Sequence, residues 1–171
     1  MPQKVYNNIE DYRILWDGQV VEDVTSVTLP SIARTSTSID ASGMVAAVDV
    51  PSMYHVDAMD ASVAHNNGMN CEKLRTPGKH TVELRLARQR YSVAQAEIGF
   101  DSVKYRMVVL HKGGEEGSVE RNNPLGATEN FSVIRYEKEI AGQVVELVDA
   151  MSGQIEVNGM DYASPVQSLL N

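Results

Sequence analysis

The stretch Lys79–Tyr91, KHTVELRLARQRY, alternates with a period of two. Val82, Leu84 and Leu86 fall on one side, and Thr81, Glu83 and Arg85 on the other. Successive side chains of a strand point to opposite faces, so the stretch reads as a strand with one buried and one solvated face. The same period runs outward from it. In YRILWDGQVVEDV (12–24), Tyr12, Ile14 and Trp16 alternate with Arg13, Leu15 and Asp17, and Asp17-Gly18 reads as a tight hairpin turn. VTSVTLP continues as a strand ending at Pro30. HVDAMDASVAH (55–65) places Met59, Ala61 and Val63 on one side of an extended run. VKYRMVVLHK (103–112) and NFSVIRYEKEI (130–140) follow, with Tyr105, Met107 and Val109, then Ile134, Tyr136 and Ile140, as apolar sets. QVVELVDAMSGQIEVNGMDY (143–162) supplies two short strands around Gly153, and Gly142 marks the hairpin turn before them.

Helix signals are scarce. NGMNCEKL (67–74), closed by Thr-Pro-Gly, predicts one short helix, and YSVAQAEIGFDS (91–102) reads as either a helical turn or a strand-connecting loop. KGGEEGSVERNNPLG, residues 112–126, reads as a mobile polar loop. No internal repeat is visible. The expectation is a mainly β, antiparallel sandwich or half-barrel with a short flanking helix, one domain over residues 1–171.

Composition narrows the function. With 171 residues, 43% hydrophobic and 22% charged, the chain is ordinary for one globular domain. Its formal charge of −8 argues against gripping nucleic acid, which needs Lys and Arg to displace phosphate counterions. The single Cys71 cannot form an intrachain disulfide. Met1–Tyr12 has no apolar signal-type core, so synthesis and assembly in the cytoplasm are expected.

The residues offer little chemistry. His55, His65, His80 and His111 are scattered, and no Cys/His cluster supplies the three or four ligands of a zinc site. Cys71 reads as a small buried apolar residue rather than a nucleophile. Asp57 and Asp60 have odd spacing and would point to opposite faces of a strand, unable to act as an acid–base pair. HKGGEEG lacks the Lys-Ser/Thr ending of a phosphate loop. No catalysis, cofactor or metal is expected.

What rises above background is IDASGMVAAVDVP, residues 39–51, preceded by the polar ARTSTS. Some twenty residues, 31–51, carry no convincing packed element, a length that is usually functional or mobile. If the segment hangs free as an extended arm, Ile39, Met44, Val45, Ala46, Ala47, Val48 and Val50 are exposed around a flexible Gly43 and mark a protein–protein contact. The alternative is an ordinary edge hairpin folded on its own domain. The tail ASPVQSLLN also leaves Leu169 and Leu170 wanting cover, and the strands imply sheet edges that must be paired, covered or closed.

VTSVTLPSI leading into IDASGMVAAVDV, together with KHTVELRLARQRY, VKYRMVVLHKG and the closing IEVNGMDY, resembles the major tail tube proteins of contractile-tailed bacteriophages. The match is one of order and spacing over most of the chain; NNGMNCEKLRTPG and YSVAQAEIGF lie outside it. The resemblance implies hexameric rings stacked into a hollow tube, each subunit adding strands to a large inner β-barrel and an arm onto its neighbour. It implies a sheath, baseplate and tail terminator as partners, in a virion tail or a bacteriocin particle. DNA would pass through the lumen without specific binding, or the tube would breach a membrane in a phage-tail-like bacteriocin. Acids lining the lumen would repel phosphate, with Glu83, Glu137 and Glu139 as candidates. A secreted ring protein of a type VI-like system is the near alternative, and a monomeric β binding module the alternative of a different class.

Overall fold

The computed structural model describes residues 3–170. In chain order it contains β1 (Lys4–Trp16), β2 (Gln19–Val21), β3 (Val24–Thr28), β4 (Arg34–Ile39), β5 (Val48–Val56) and β6 (Met59–His65). A 3₁₀ turn at Cys71–Arg75 precedes β7 (Lys79–Ser92), β8 (Glu97–Glu115) and β9 (Ala127–Ile140). Then come β10 (Gln143–Asp149), β11 (Gln154–Val157), β12 (Met160–Asp161) and a single-turn α1 (Ser164–Gln167).

The alternation of KHTVELRLARQRY builds the longest pairing. β7 and β8 run antiparallel in unbroken register from Lys79↔Leu110 to Ser92↔Glu97, about 45 Å of hairpin at the rise of an extended chain. β1 lies on the other side of β7 with two bulges, between Tyr6 and Asn8 and between Ile9 and Asp11. β9 lies on the far side of β8. The outer edge of β9 is shared, with β6 covering its first half and β10 its second.

The sheet returns on itself. From β9 it runs through β8, β7 and β1 to β2 in one direction and through β6 to β3 in the other. Only Glu22 and Asp23 separate β2 from β3, and the Tyr12 hydroxyl donates to the Val24 carbonyl across the gap at 2.9 Å. A flat sheet would hold β1 and β9 about 14 Å apart, three strand spacings. Instead the Trp16 and Phe131 rings meet with centroids 5.6 Å apart. The result is a half-barrel filled by Ile14, Trp16, Met59, Val63, Leu74, Val82, Leu84, Tyr105, Met107, Val109, Phe131, Val133 and Tyr136, all buried.

Three local expectations need correction. The predicted helix over 67–74 is a 3₁₀ turn starting only at Cys71, because Asn67 and Asn70 hold φ of 69° and 67°, which ends any right-handed helix before it starts. The polar segment from Lys112 is strand as far as Glu115, since Gly113, Gly114 and Glu115 pair with Asn130, Glu129 and Thr128; the connection proper is 116–126. Finally, Ile134 is not part of the buried set. Val108 pairs with Arg135 and Val109 with Val133, so Ile134 is an extra residue in a bulge. That one residue shifts the phase, so that Val133 and Tyr136 both face the core. YSVAQAEIGFDS resolves as the end of β7, a turn at residues 93–96 and the start of β8.

The Asp17-Gly18 turn has φ of 46° and 82°, the left-handed pair that suits a two-residue hairpin. Asp17 also ties the turn down. One carboxylate oxygen accepts the Thr81 N–H at 2.8 Å and the other faces His80 Nδ1 at 2.7 Å. His80 Nε2 faces the Pro77 carbonyl at 3.2 Å, so both ring nitrogens meet acceptors. The Asp17 hydrogen bond therefore raises the His80 pKa above its ordinary 6.5. Burial works against ionising Asp17, but the Thr81 N–H and His80 outweigh it and hold the carboxyl below its ordinary 3.8.

Two outcomes follow for stability. Phe131→Ala should cost about 3–5 kcal/mol in chemical denaturation, as expected for a large aromatic at the centre of a core; a loss below about 1 kcal/mol would show that the two layers do not meet there. For Asp17–His80, the raised histidine contributes fully below pH 6.5 and its contribution fades as pH rises through its folded value. The lowered carboxyl contributes above pH 3.8 and is lost as pH falls through its folded value. The thermal midpoint should therefore decline between about pH 6 and pH 8, and Asp17→Asn should flatten that decline.

Candidate assembly surfaces

Residues 34–56 form a hairpin of their own. β4 and β5 pair only with each other, from Ile39↔Val48 back to Arg34↔Val56, as a sheet separate from the main one. The anticipated arm is thus two strands joined by a turn at 40–47, and its second strand runs past Pro51 to Val56. Its base is fastened to the body. Arg34, which braces the hairpin internally by donating to the Met53 carbonyl at 2.8 Å, sits over the Tyr162 ring of the body at 5.7 Å, and Tyr54 packs so closely on Gly153 that a Cβ there would strike its hydroxyl. Its far half is bare. Ile39, Gly43, Met44, Val45, Ala46, Ala47, Val48 and Val50 are all exposed, Val45 completely. Gly43 takes φ of 97°, a conformation that a side chain strains.

The polar side of β7–β8–β9 forms a second surface. In register, Glu83 faces Arg106 and Arg106 faces Glu137; one step on, Arg85 faces Lys104 and Lys104 faces Glu139. The three glutamates proposed from sequence therefore share one face, and each is ion-paired. Arg106 donates to Glu137 at 2.6 Å and lies 3.3 Å from Glu139 and 3.8 Å from Glu83. Lys104 reaches Glu139 at 3.4 Å, Arg135 reaches Glu137 at 3.3 Å and Asp149 at 3.8 Å, and Arg85 pairs with Glu83. Nearby acids raise the Arg106 pKa, the Glu137 hydrogen bond most.

Two stretches of strand edge are open on the β1–β7–β8 overhang. β2 covers only Ile14–Trp16 of β1, so Lys4–Arg13 has β7 on one side and no strand on the other. On the opposite side of the same sheet, β9 stops at the level of Val103, leaving Glu97–Asp101 of β8 uncovered. Around this overhang Val5, Tyr6, Ile9, Tyr91, Ile98 and Phe100 are exposed.

One cluster escaped the sequence reading. Glu129 is fully buried on β9, and its carboxylate accepts Arg75 Nε at 2.5 Å and faces His111 Nε2 at 2.8 Å. His65 accepts the Asn67 N–H on Nδ1, which leaves the proton on Nε2, 3.8 Å from the same carboxylate. Gly114 sits opposite Glu129, where a Cβ would overlap the carboxylate. Arg75 also pairs with Glu116, so the cluster joins the 3₁₀ turn, three strands and the start of the 116–126 connection. Only the spacing of His65, His111 and Glu129 across paired strands could have shown it, and spacing is invisible before register is known.

The remaining candidates stay apart. His55 is exposed on the hairpin against Tyr54, whereas His65 is buried in the main sheet. Asp57 lies between strands and accepts from Thr35, and Asp60 pairs with Lys112 at 3.0 Å. Cys71 is buried, its thiol donating to the Glu22 carbonyl at 3.2 Å, and burial pushes its pKa up, away from a reactive thiolate. Among the described residues no group of three His, Cys, Asp or Glu could hold a metal ion. No helix among them is long and apolar enough to cross a membrane.

A family model described as phage tail tube protein FII matches residues 6–170. The chain belongs to that family. The tube protein also resembles a chain from a cryo-EM structure of an extracellular contractile injection system, the PVC sheath–tube complex in its extended state. That likeness has a TM-score of 0.47 and 9% identity and covers 81% of this chain and 88% of the other. No curated protein matches. Membership rests on the family model alone, which spans the half-barrel, the hairpin and the charged face together.

In this tail tube protein, Glu129→Gln should cost about 2–3 kcal/mol. That is below the ~3–5 kcal/mol of a fully buried pair because Arg75 keeps 35% of its side chain exposed. Urea unfolding reads the loss directly. A stability equal to wild type would show that the cluster around Glu129 does not help hold the fold together.

Proposed function

We propose that the chain is the repeating subunit of the inner tube of a contractile tail, closing as hexameric rings that stack into a hollow conduit. The observation that carries this is the hairpin: a built, anchored element whose outer half presents apolar and small side chains to solvent, with charge only at Asp40 and Asp49. A patch of that kind marks a contact with another chain.

The open edges support ring closure. They lie on opposite sides of one three-strand overhang, β1 on one flank and the opening residues of β8, Glu97–Asp101, on the other. Laying β1 of one copy along β8 of the next is a head-to-tail contact, which closes when its rotation divides the circle. Continuing round, it removes both edges and builds a barrel wide enough for a channel. The charged face of β7–β9 is then the channel wall, and the hairpin reaches a neighbouring subunit or ring, burying apolar surface at about 25 cal/mol per Å².

In a phage the conduit passes DNA; in a bacteriocin-like particle it breaches the target envelope. The sheath surrounds it, and baseplate and terminator proteins meet its ends. Tail particles of this kind are assembled in the host cytoplasm. A non-enzymatic role agrees with a site made of contact surfaces.

Negative-stain microscopy of concentrated protein should show rings or tubes. Replacing Ile39–Val50 by a short Gly/Ser turn should abolish them while shifting the thermal midpoint by only a few degrees, because those residues touch no core. A protein that stays monomeric at every concentration would defeat the proposal. So would a deletion that unfolds the domain, since the hairpin would then be core.

A further inference from the structure

The charge of −8 suggests a channel that repels phosphate by excess acid. The geometry points to a different device. Resting on the tube reading, we propose that the β7–β8–β9 face is a polyanion-rejecting surface because its own carboxylates balance the charges of its arginines and lysine. Locally there is no excess of acid: Glu83, Glu137, Glu139 and Asp149 are matched by Arg85, Lys104, Arg106 and Arg135.

The layering matters. The four acids lie low on the sheet, between 12% and 21% exposed, and the four bases ride above them, between 28% and 56% exposed. A nucleic-acid backbone sliding over this face would meet cations first. Cations grip phosphate chiefly by releasing condensed counterions, and here each cation already carries a fixed carboxylate within 3.8 Å. A phosphate that displaced the carboxylate would strand a largely covered anion without a partner. One that did not would add a second anion to a satisfied cation. Either way the strand gains little and moves on.

The ladder has ends. Arg13 on β1, opposite Arg85, and Lys79, at the start of β7, have no acid at ion-pair distance among the described residues. The intervening arginines are thus the ones that the carboxylates keep from acting as a phosphate track.

The test compares three proteins by fluorescence anisotropy with a labelled single-stranded oligonucleotide, using dilute subunit so that the face is open. The wild type should not bind. Glu83→Gln, Glu137→Gln and Glu139→Gln together should bind, with an affinity falling roughly twentyfold between ~50 and ~200 mM salt, as about three unmasked phosphate contacts require. A control with Glu22→Gln, Glu72→Gln and Glu120→Gln removes the same charge elsewhere and should stay silent. Binding by wild type, equal gain in the control, or no gain in a ladder variant of unchanged circular dichroism overturns the proposal. Should the triple variant not fold, Glu139→Gln alone, which frees Lys104 and leaves Glu83 and Glu137 on Arg106, should give a weaker gain that falls only about threefold over the same salt range, as one unmasked contact requires, and its silence is equally fatal. Negative stain of the same wild-type protein judges the tube reading separately, since the anisotropy result does not need rings.

Discussion

The meeting of Trp16 with Phe131 across a curled sheet is the contact on which the rest of the molecule depends. A single antiparallel sheet offers one apolar face, and water must be kept from it. Many β domains bring a second sheet or a helix for the purpose. Among the described residues there is no long helix for the purpose, only a 3₁₀ turn and one turn of α-helix. The sheet therefore covers itself. Long strands make that possible, because twist accumulates along them and between neighbours until β1 and β9 face each other.

Self-covering has consequences for what is left outside. The core fills only the stretch where the layers overlap, and β1, β7 and β8 continue beyond it. The overhang is stiffened by its own contacts. Arg88 stacks on Tyr6 at 3.7 Å, and the Tyr6 hydroxyl and Arg90 both reach Asp101. Its edges carry unpaired backbone groups, a liability in a protein meant to stay alone. The two bulges in β1 interrupt simple pairing with arbitrary strands and narrow which partner edge fits. Rigidity and selectivity of that kind suit an edge meant for one partner.

How much of this could be read beforehand depended on the range of the interaction. Period-two alternation is local, and it correctly marked the Val82–Leu86 face, the Tyr105–Val109 face and the Met59–Val63 face. Turn chemistry is local too, and Asp17-Gly18 and Asn158-Gly159 turn with left-handed φ at both residues. Failures came where one residue changes phase or where partners are distant. Ile134 looks like a core residue until its bulge is known. Residues 39–50 carry no strong alternation, because neither face of the hairpin's outer half is buried by its own domain, so the usual signal of a strand is absent there. The glutamate set was read as free charge, yet Glu83, Glu137 and Glu139 come from two strands neutralised by a third between them. That is a fact of register and not of composition.

The hairpin's residue choice resolves a conflict between solubility and assembly. If the hairpin is the contact surface of the proposed tube, a free subunit must carry it through water, and large aromatics there would invite indiscriminate association. The exposed half uses alanine, valine and one methionine instead, with Asp40 and Asp49 at its flanks and no base between them. Each such side chain hides little area, so one docked hairpin is a weak bond. In the proposed ring, however, every copy would both give and receive, and an incoming subunit would be held at its edges and by its hairpin together. Contacts linked in one rigid body act at high effective concentration, so several weak ones become a firm assembly. A subunit that is harmless when dilute and committed once a ring has begun is what this division of labour between edges and hairpin produces.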